Sequence, residues 1–127
     1  MRRILIEVSN LIIEAELNTS YTSDEIWKVL PIESTYHRWG DEIYFPIPVK
    51  SDLEPEARED VNIGDLGYWP SGSAFCIFFG PTPVSKGDLP KAYSPVNILG
   101  RITGDATLFR ATKDGEKIII RRYEEEF

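Results

Sequence analysis

Cysteine is all but absent. Cys76 stands alone in 127 residues, so no intramolecular disulfide can form. A single thiol is the usage of a reducing compartment, and the chain is read as cytoplasmic. Long apolar runs are missing too. None approaches the roughly 20 residues of a membrane-spanning helix. Glu7 interrupts the run Ile4-Leu5-Ile6 before a signal-peptide core could form. Positive charge is in deficit, with 14 Lys and Arg against 21 Asp and Glu and a formal charge of −7. A phosphate backbone needs a clustered basic face, so neither nucleic acid nor a membrane is expected as a partner. The acids gather at Asp52, Glu54, Glu56, Glu59 and Asp60, and again at Glu124-Glu125-Glu126. Such runs are read as a solvated loop and a solvated terminus.

Histidine is equally scarce. His37 has no second histidine and no cysteine near it in sequence, and structural zinc takes four ligands, so no metal is expected. Gly80-Pro-Thr-Pro83 lacks the Gly-Lys-Ser/Thr ending of a phosphate loop, and its prolines remove amide donors. Gly64-Asp-Leu-Gly67 carries only part of a dinucleotide fingerprint and precedes no helix. Neither supports a nucleotide, and no cofactor is expected. Repeats, low-complexity segments and linkers are absent.

What is present suits one domain over residues 1–127, with 42% hydrophobic residues to build a core. Arg3 to Val8 and Leu11 to Leu17 alternate with the period of half-buried strands around a Ser9-Asn10 turn. The period then changes. Thr22-Ser-Asp-Glu25 has the form of a capping box, Ile26, Val29 and Leu30 make an apolar stripe, and Pro31 ends the helix. Ser34 to Trp39 and Glu42 to Phe45 flank a Gly40-Asp41 hairpin signal. Lys50 to Asn62 reads as a long polar loop.

Asp65 to Trp69 and Ala74 to Phe79 read as strands joined by a Pro-Ser-Gly turn, the second apolar at nearly every position and so covered on both faces. Gly80 to Pro95 reads as a second long connection, followed by strands at Val96 to Ile102 and Glu116 to Tyr123. Asp105 to Thr112 is either a short helix capped by Asp105, the favoured reading, or an arm of a hairpin turning at Asp114-Gly115. The pattern is mainly β: a closed β-barrel of about eight strands with one capping α-helix.

Four segments carry a resemblance. Trp39-Gly-Asp-Glu-Ile-Tyr-Phe45, Gly64-Asp-Leu-Gly-Tyr-Trp-Pro70, Ala74-Phe-Cys-Ile-Phe-Phe-Gly-Pro-Thr-Pro83 and Val96-Asn-Ile-Leu-Gly-Arg-Ile102 resemble the cyclophilin-like family, in particular its small prokaryotic branch. That family has the barrel fold of the peptidyl-prolyl isomerases. Tyr36-His37-Arg38 is similar to the isomerases' Phe-His-Arg run, whose arginine binds the carbonyl before the substrate proline, so the resemblance implies that role for Arg38. The family's pocket phenylalanine, methionine and glutamine fall at Ile43, Tyr44 and Pro46. Gly72-Ser-Ala-Phe-Cys-Ile77 resembles Gly-Ser-Gln-Phe-Phe-Ile, with Ala74 for the glutamine and Cys76 for the pocket phenylalanine; the following tryptophan is Val84. Each missing element costs ~10²–10³ in rate, so weak isomerase activity or none is expected.

The candidate site residues are Arg38, as catalytic group and ligand contact, with Tyr44, Tyr68, Trp69 and Cys76 as ligand contacts. Arg38 is either a clamp on a carbonyl or anion, or the partner of Asp41 or Glu42 across the turn. His37 is either a general base with Asp41 or a surface ring. Cys76, with no basic neighbour in sequence, reads as a small core residue. Trp39, Tyr44, Tyr68, Trp69, Phe75 and Phe79 are too many rings for one small interior, and Tyr44, Tyr68 and Trp69 are expected to line a groove. The expected function is binding of a peptide or small molecule there. A weak prolyl isomerase and a small-metabolite enzyme are the alternatives. Edge strands make a homodimer plausible.

Overall fold

The computed structural model describes residues 2–124. Among these residues ten strands form an antiparallel assembly: β1 (Arg2–Val8), β2 (Leu11–Leu17), β3 (Ile32–Thr35), β4 (His37–Arg38), β5 (Glu42–Pro46), β6 (Arg58–Asp60), β7 (Asp65–Trp69), β8 (Ala74–Phe78), β9 (Lys91–Ile102) and β10 (Lys117–Arg122). Pairing runs β3-β10-β1-β2-β9-β7-β8-β5-β4, with β6 attached to β9.

The sheet is not closed, which corrects the expected barrel. Among the described residues no backbone ladder joins its two ends, β3 and β4. Proline explains part of this. Pro46 ends β5 without an amide hydrogen, and the Ile47 amide is spent on the Ser73 carbonyl at 2.9 Å. What bridges β3 to the end of β5 is one side-chain bond, Ser34 Oγ donating to the Pro46 carbonyl at 3.0 Å.

Among the described residues the one α-helix, α1, spans Tyr21–Val29. Its cap differs from the capping-box reading: Ser20 is the N-cap, and its hydroxyl accepts from the Ser23 amide at 3.2 Å. Thr22 is wholly buried and spends its hydroxyl on Ser51, Glu54 and Asn97 instead. Leu30, just before Pro31, leaves the helical conformation as expected. Ala106–Ala111 is a 3₁₀ helix capped by Asp105, whose carboxylate accepts from the Thr107 amide at 3.0 Å.

Two long connections are shorter than their composition suggested. Residues 50–62 include β6, and Asn97 pins the loop by accepting from the Glu54 amide and donating to the Asp52 carbonyl. β9 begins at Lys91 and runs through Pro95. Leu66 pairs with Gly100 and Gly67 with Ile98, so Leu99 is an extra residue, a β-bulge. At the bulge β9 crosses very close to β2. Gly100 has φ +149°, and a Cβ there would stand 1.8 Å from the Glu16 carbonyl oxygen. That oxygen belongs to the backbone, which cannot swing aside. Gly100→Ala is therefore expected to destabilise the fold by about 3 kcal/mol or more in urea unfolding.

The main core lies on one face of the sheet and collects Ile4, Ile6, Ile43, Phe45, Leu66, Tyr68, Phe75, Ile77, Phe79, Leu99 and Phe109, among others. The opposite face of β5, β7, β8 and β9 carries a second, smaller cluster: Val61, Cys76, Phe78, Ala92 and Val96, with Tyr44, Trp69 and Ile98 packed on it. β8 is buried at every position because it separates the two. Among the described residues no helix is long and apolar enough to cross a membrane.

Candidate functional site

Period two on four adjacent strands builds the site. On β5, Ile43 and Phe45 enter the main core, so Glu42 and Tyr44 take the other face. On β8, Phe75 and Ile77 go inward and Cys76 and Phe78 outward. The register sets Tyr44 opposite Cys76, and Gly67 opposite Cys76 from the other side. A side chain at Gly67 would press on Val96 and Phe78, so its absence lets those two meet beneath the site.

Above this cluster is a hollow of about 190 Å³. Its floor is Glu42, Cys76, Ala92 and Val96, and its walls are Trp39, Tyr44, Trp69 and Tyr93 beside Ser94. Tyr93 stands edge-on to both indoles, with centroids 6.1 Å from Trp39 and 6.2 Å from Trp69. The Trp69 indole N–H donates to Ser94 Oγ at 2.6 Å, which fixes that wall. Tyr93 is 72% exposed and forms the rim.

Glu42 is the anomaly of the site. It is only 6% exposed, and its Oε1 is sealed from water with no hydrogen-bond partner. Burial pushes its pKa up to about 7, and the Cys76 thiol beside it draws the value back slightly. The same burial, reinforced by Glu42, raises the Cys76 thiol well above its ordinary range. A thiol so disposed is inert as a nucleophile, so Cys76 contributes shape and a weak donor. Glu42 is a carboxyl that can be neutral or charged near neutrality.

The expected site residues divide in two. Tyr44, Trp69 and Cys76 come together in the hollow. Tyr68, wholly buried, projects into the main core, where its hydroxyl donates to the Val49 carbonyl at 2.7 Å and accepts from the Ser51 amide at 3.2 Å. Arg38 also lies elsewhere. It pairs with Ile43, on the face away from Tyr44, and its guanidinium stands 5.0 Å from the Phe79 ring. Its nitrogens donate to the carbonyls of Gly40, Arg110 and Thr112 and to the Asp41 carboxylate. Of its two readings the structure shows the partner across the turn, with Asp41 and not Glu42. His37 is exposed, packs its ring on Tyr44 at 5.4 Å and sits 3.9 Å from an Asp114 carboxylate oxygen. No group of three metal-ligating side chains occurs among the described residues.

Sequence reasoning missed Trp39, Glu42 and Tyr93 as lining residues. Glu42 was available from alternation, because it shares a strand face with Tyr44, two residues on. Tyr93 was hidden inside a stretch whose Pro and Gly content read as a loop.

Fold and site together define a β-sheet protein with an aromatic hollow on the outer face of its central strands. The chain belongs to the cyclophilin-like family, whose family model matches residues 2–121. It is similar to the solution structure of a hypothetical protein from Archaeoglobus fulgidus, with 36% identity, a TM-score of 0.81 and coverage of 96% of this chain and 95% of the other. No curated protein matches it.

Proposed function

We propose that the protein is a binding module whose ligand, a small molecule or a side chain of a peptide, enters the hollow between Trp39, Tyr44, Trp69 and Tyr93. One observation carries the reading. Rings on an exposed sheet face ordinarily pack shut to bury their area, and here they stand around an open hollow with a carboxyl in its floor. The hollow is below the ~300 Å³ of pockets that engulf drug-sized ligands, so it suits a compact group. Arg38 is not part of this module.

The test is an NMR titration with proline-bearing peptides and small ring compounds, read on the indole N–H signals. Trp39 and Trp69 report on the hollow. Trp27, between the guanidinium groups of Arg2 and Arg122, is the control. A ligand is expected to shift the first two saturably and leave the third in place. Filling the floor with Ala92→Leu is expected to weaken binding about tenfold or more, since a ligand would then overpack the hollow at a cost of about 1–3 kcal/mol. Binding that survives the filled floor unchanged, or shifts spread equally over all three indoles, would remove the proposal. Phe-Pro cis–trans exchange is expected to show no acceleration.

A further inference from the structure

We infer that the hollow takes an organic ammonium group, with its N–H on Glu42 and its apolar body against the rings of Trp39, Tyr44, Trp69 and Tyr93. The inference rests on the binding reading above and names the ligand's chemistry. Three observations converge on it.

The first is the orphan acceptor. A carboxyl oxygen closed off from water without a donor is costly and uncommon, and the protein offers Oε1 none. Glu42 lines the hollow, and a turn of its side chain that brings the closed-off Oε1 to the surface of the hollow would let a ligand N–H supply the missing donor. The second is the sign of the site. No lysine or arginine lines the hollow, and its one side chain with a full charge to offer is an acid. An anionic ligand would meet repulsion with no compensating cation. The third is the walls. Four electron-rich rings line one small space, and a cation lodged over the face of one of them is attracted by ~0.5–2 kcal/mol.

These features also separate ammonium classes. A quaternary ammonium would satisfy the rings and leave Oε1 unpaired, so the site favours amines that keep at least one N–H. Burial raises the proton affinity of Glu42 in the empty protein, and a cation alongside reverses that trend, so occupancy and ionisation reinforce each other. The side chains that line the hollow around Glu42 are Cys76 from β8, Tyr44 from its own strand and Tyr93 from β9; none is cationic.

The experiment compares n-butylammonium with 1-butanol on the full chain, read on the Trp39 and Trp69 indole signals with Trp27 as control. Butanol has the same apolar body and can donate or accept, so it stands for a neutral partner. Butylammonium is expected to bind at least tenfold more tightly. Glu42→Gln is expected to lower the ammonium affinity about tenfold and to shrink the preference for butylammonium over butanol to about threefold or less. Tyr93→Ala, at an exposed rim position that the fold does not depend on, is expected to weaken ammonium binding about threefold or more. Butanol binding as tightly as butylammonium, or an unchanged ammonium affinity in Glu42→Gln, overturns the ammonium inference while the hollow stands as a binding site. Silence of both indoles toward either compound overturns it as well, and the titration of peptides and ring compounds then decides the binding reading on its own.

Discussion

Glu42→Gln is expected to stabilise the protein at pH 8, by about 1–3 kcal/mol. The carboxyl titrates near 4.5 in the unfolded chain and at about 7 in the folded one. Between those values the native state holds a proton that the unfolded state has released. Stability contributed by this group is therefore full below pH 4.5, falls as pH rises through the interval, and is lost above 7. At ~1.4 kcal/mol per pH unit the ionised side chain costs the fold about 3 kcal/mol under alkaline conditions. Glutamine escapes the charge penalty and still buries a polar group, hence the lower range. Urea unfolding of both proteins at pH 5 and pH 8 measures it. The other carboxylates titrate alike in the two, so the difference isolates Glu42. A glutamine variant that is less stable at pH 8 would mean the native carboxylate has a donor for Oε1 that the structure does not show.

A destabilising acid kept at the bottom of an aromatic hollow is hard to attribute to folding. The second cluster could have used an apolar residue at position 42, opposite Phe78 and beside Tyr44, with a gain in stability. Breaches of local consistency of this kind concentrate at functional sites, where the cost is offset when the ligand binds. The polar network around Thr22, Glu54 and Asn97 differs in this respect. There the buried groups have partners, and the result is a pinned loop.

Much of this was legible in the sequence, and the failures have simple causes. Strand positions followed from alternation, and the doubly buried β8 followed from its unbroken apolar run. A groove was expected on β5, β7 and β8 with Tyr44, Trp69 and Cys76 in it, and these three residues line the hollow. Tyr68 could not join them: it is adjacent to Trp69, and neighbours on a strand point to opposite faces. Arg38 fails the same way, since the hairpin register sets it against Ile43 while His37 meets Tyr44. A motif match carried the arginine's position and not its direction. The extension of β9 back to Lys91 and the open sheet were invisible for another reason. Both depend on partners distant in sequence, a β6–β9 pairing in one case and missing hydrogen bonds at Pro46 in the other.

The isomerase alternative and the structural reading of Arg38 predict opposite outcomes for Arg38→Ala. As a catalytic donor, the guanidinium must be free to meet a prolyl carbonyl. Here it is 22% exposed and ties the β4–β5 turn to the 3₁₀ segment, donating to three backbone carbonyls and to Asp41. A substrate carbonyl would have to displace those partners on the face of the sheet away from the hollow. Removing the side chain leaves the carbonyls of Arg110 and Thr112 without their donor and Asp41 without its nearest cation, although Arg110 Nε remains 3.7 Å away. Each lost charge-assisted hydrogen bond is worth about 1.5–3 kcal/mol when buried and less at partial exposure, so a total near 3 kcal/mol is expected. The expected phenotype is a lower urea midpoint and faster amide exchange in residues 110–114, with ligand affinity at the Trp39 and Trp69 signals within about twofold of the parent. Arg38→Lys is expected to recover less than half of the stability, because one ammonium cannot span carbonyls on two segments. Loss of ligand binding in a variant that remains folded would instead return Arg38 to the site and join the two faces that the strand register keeps apart.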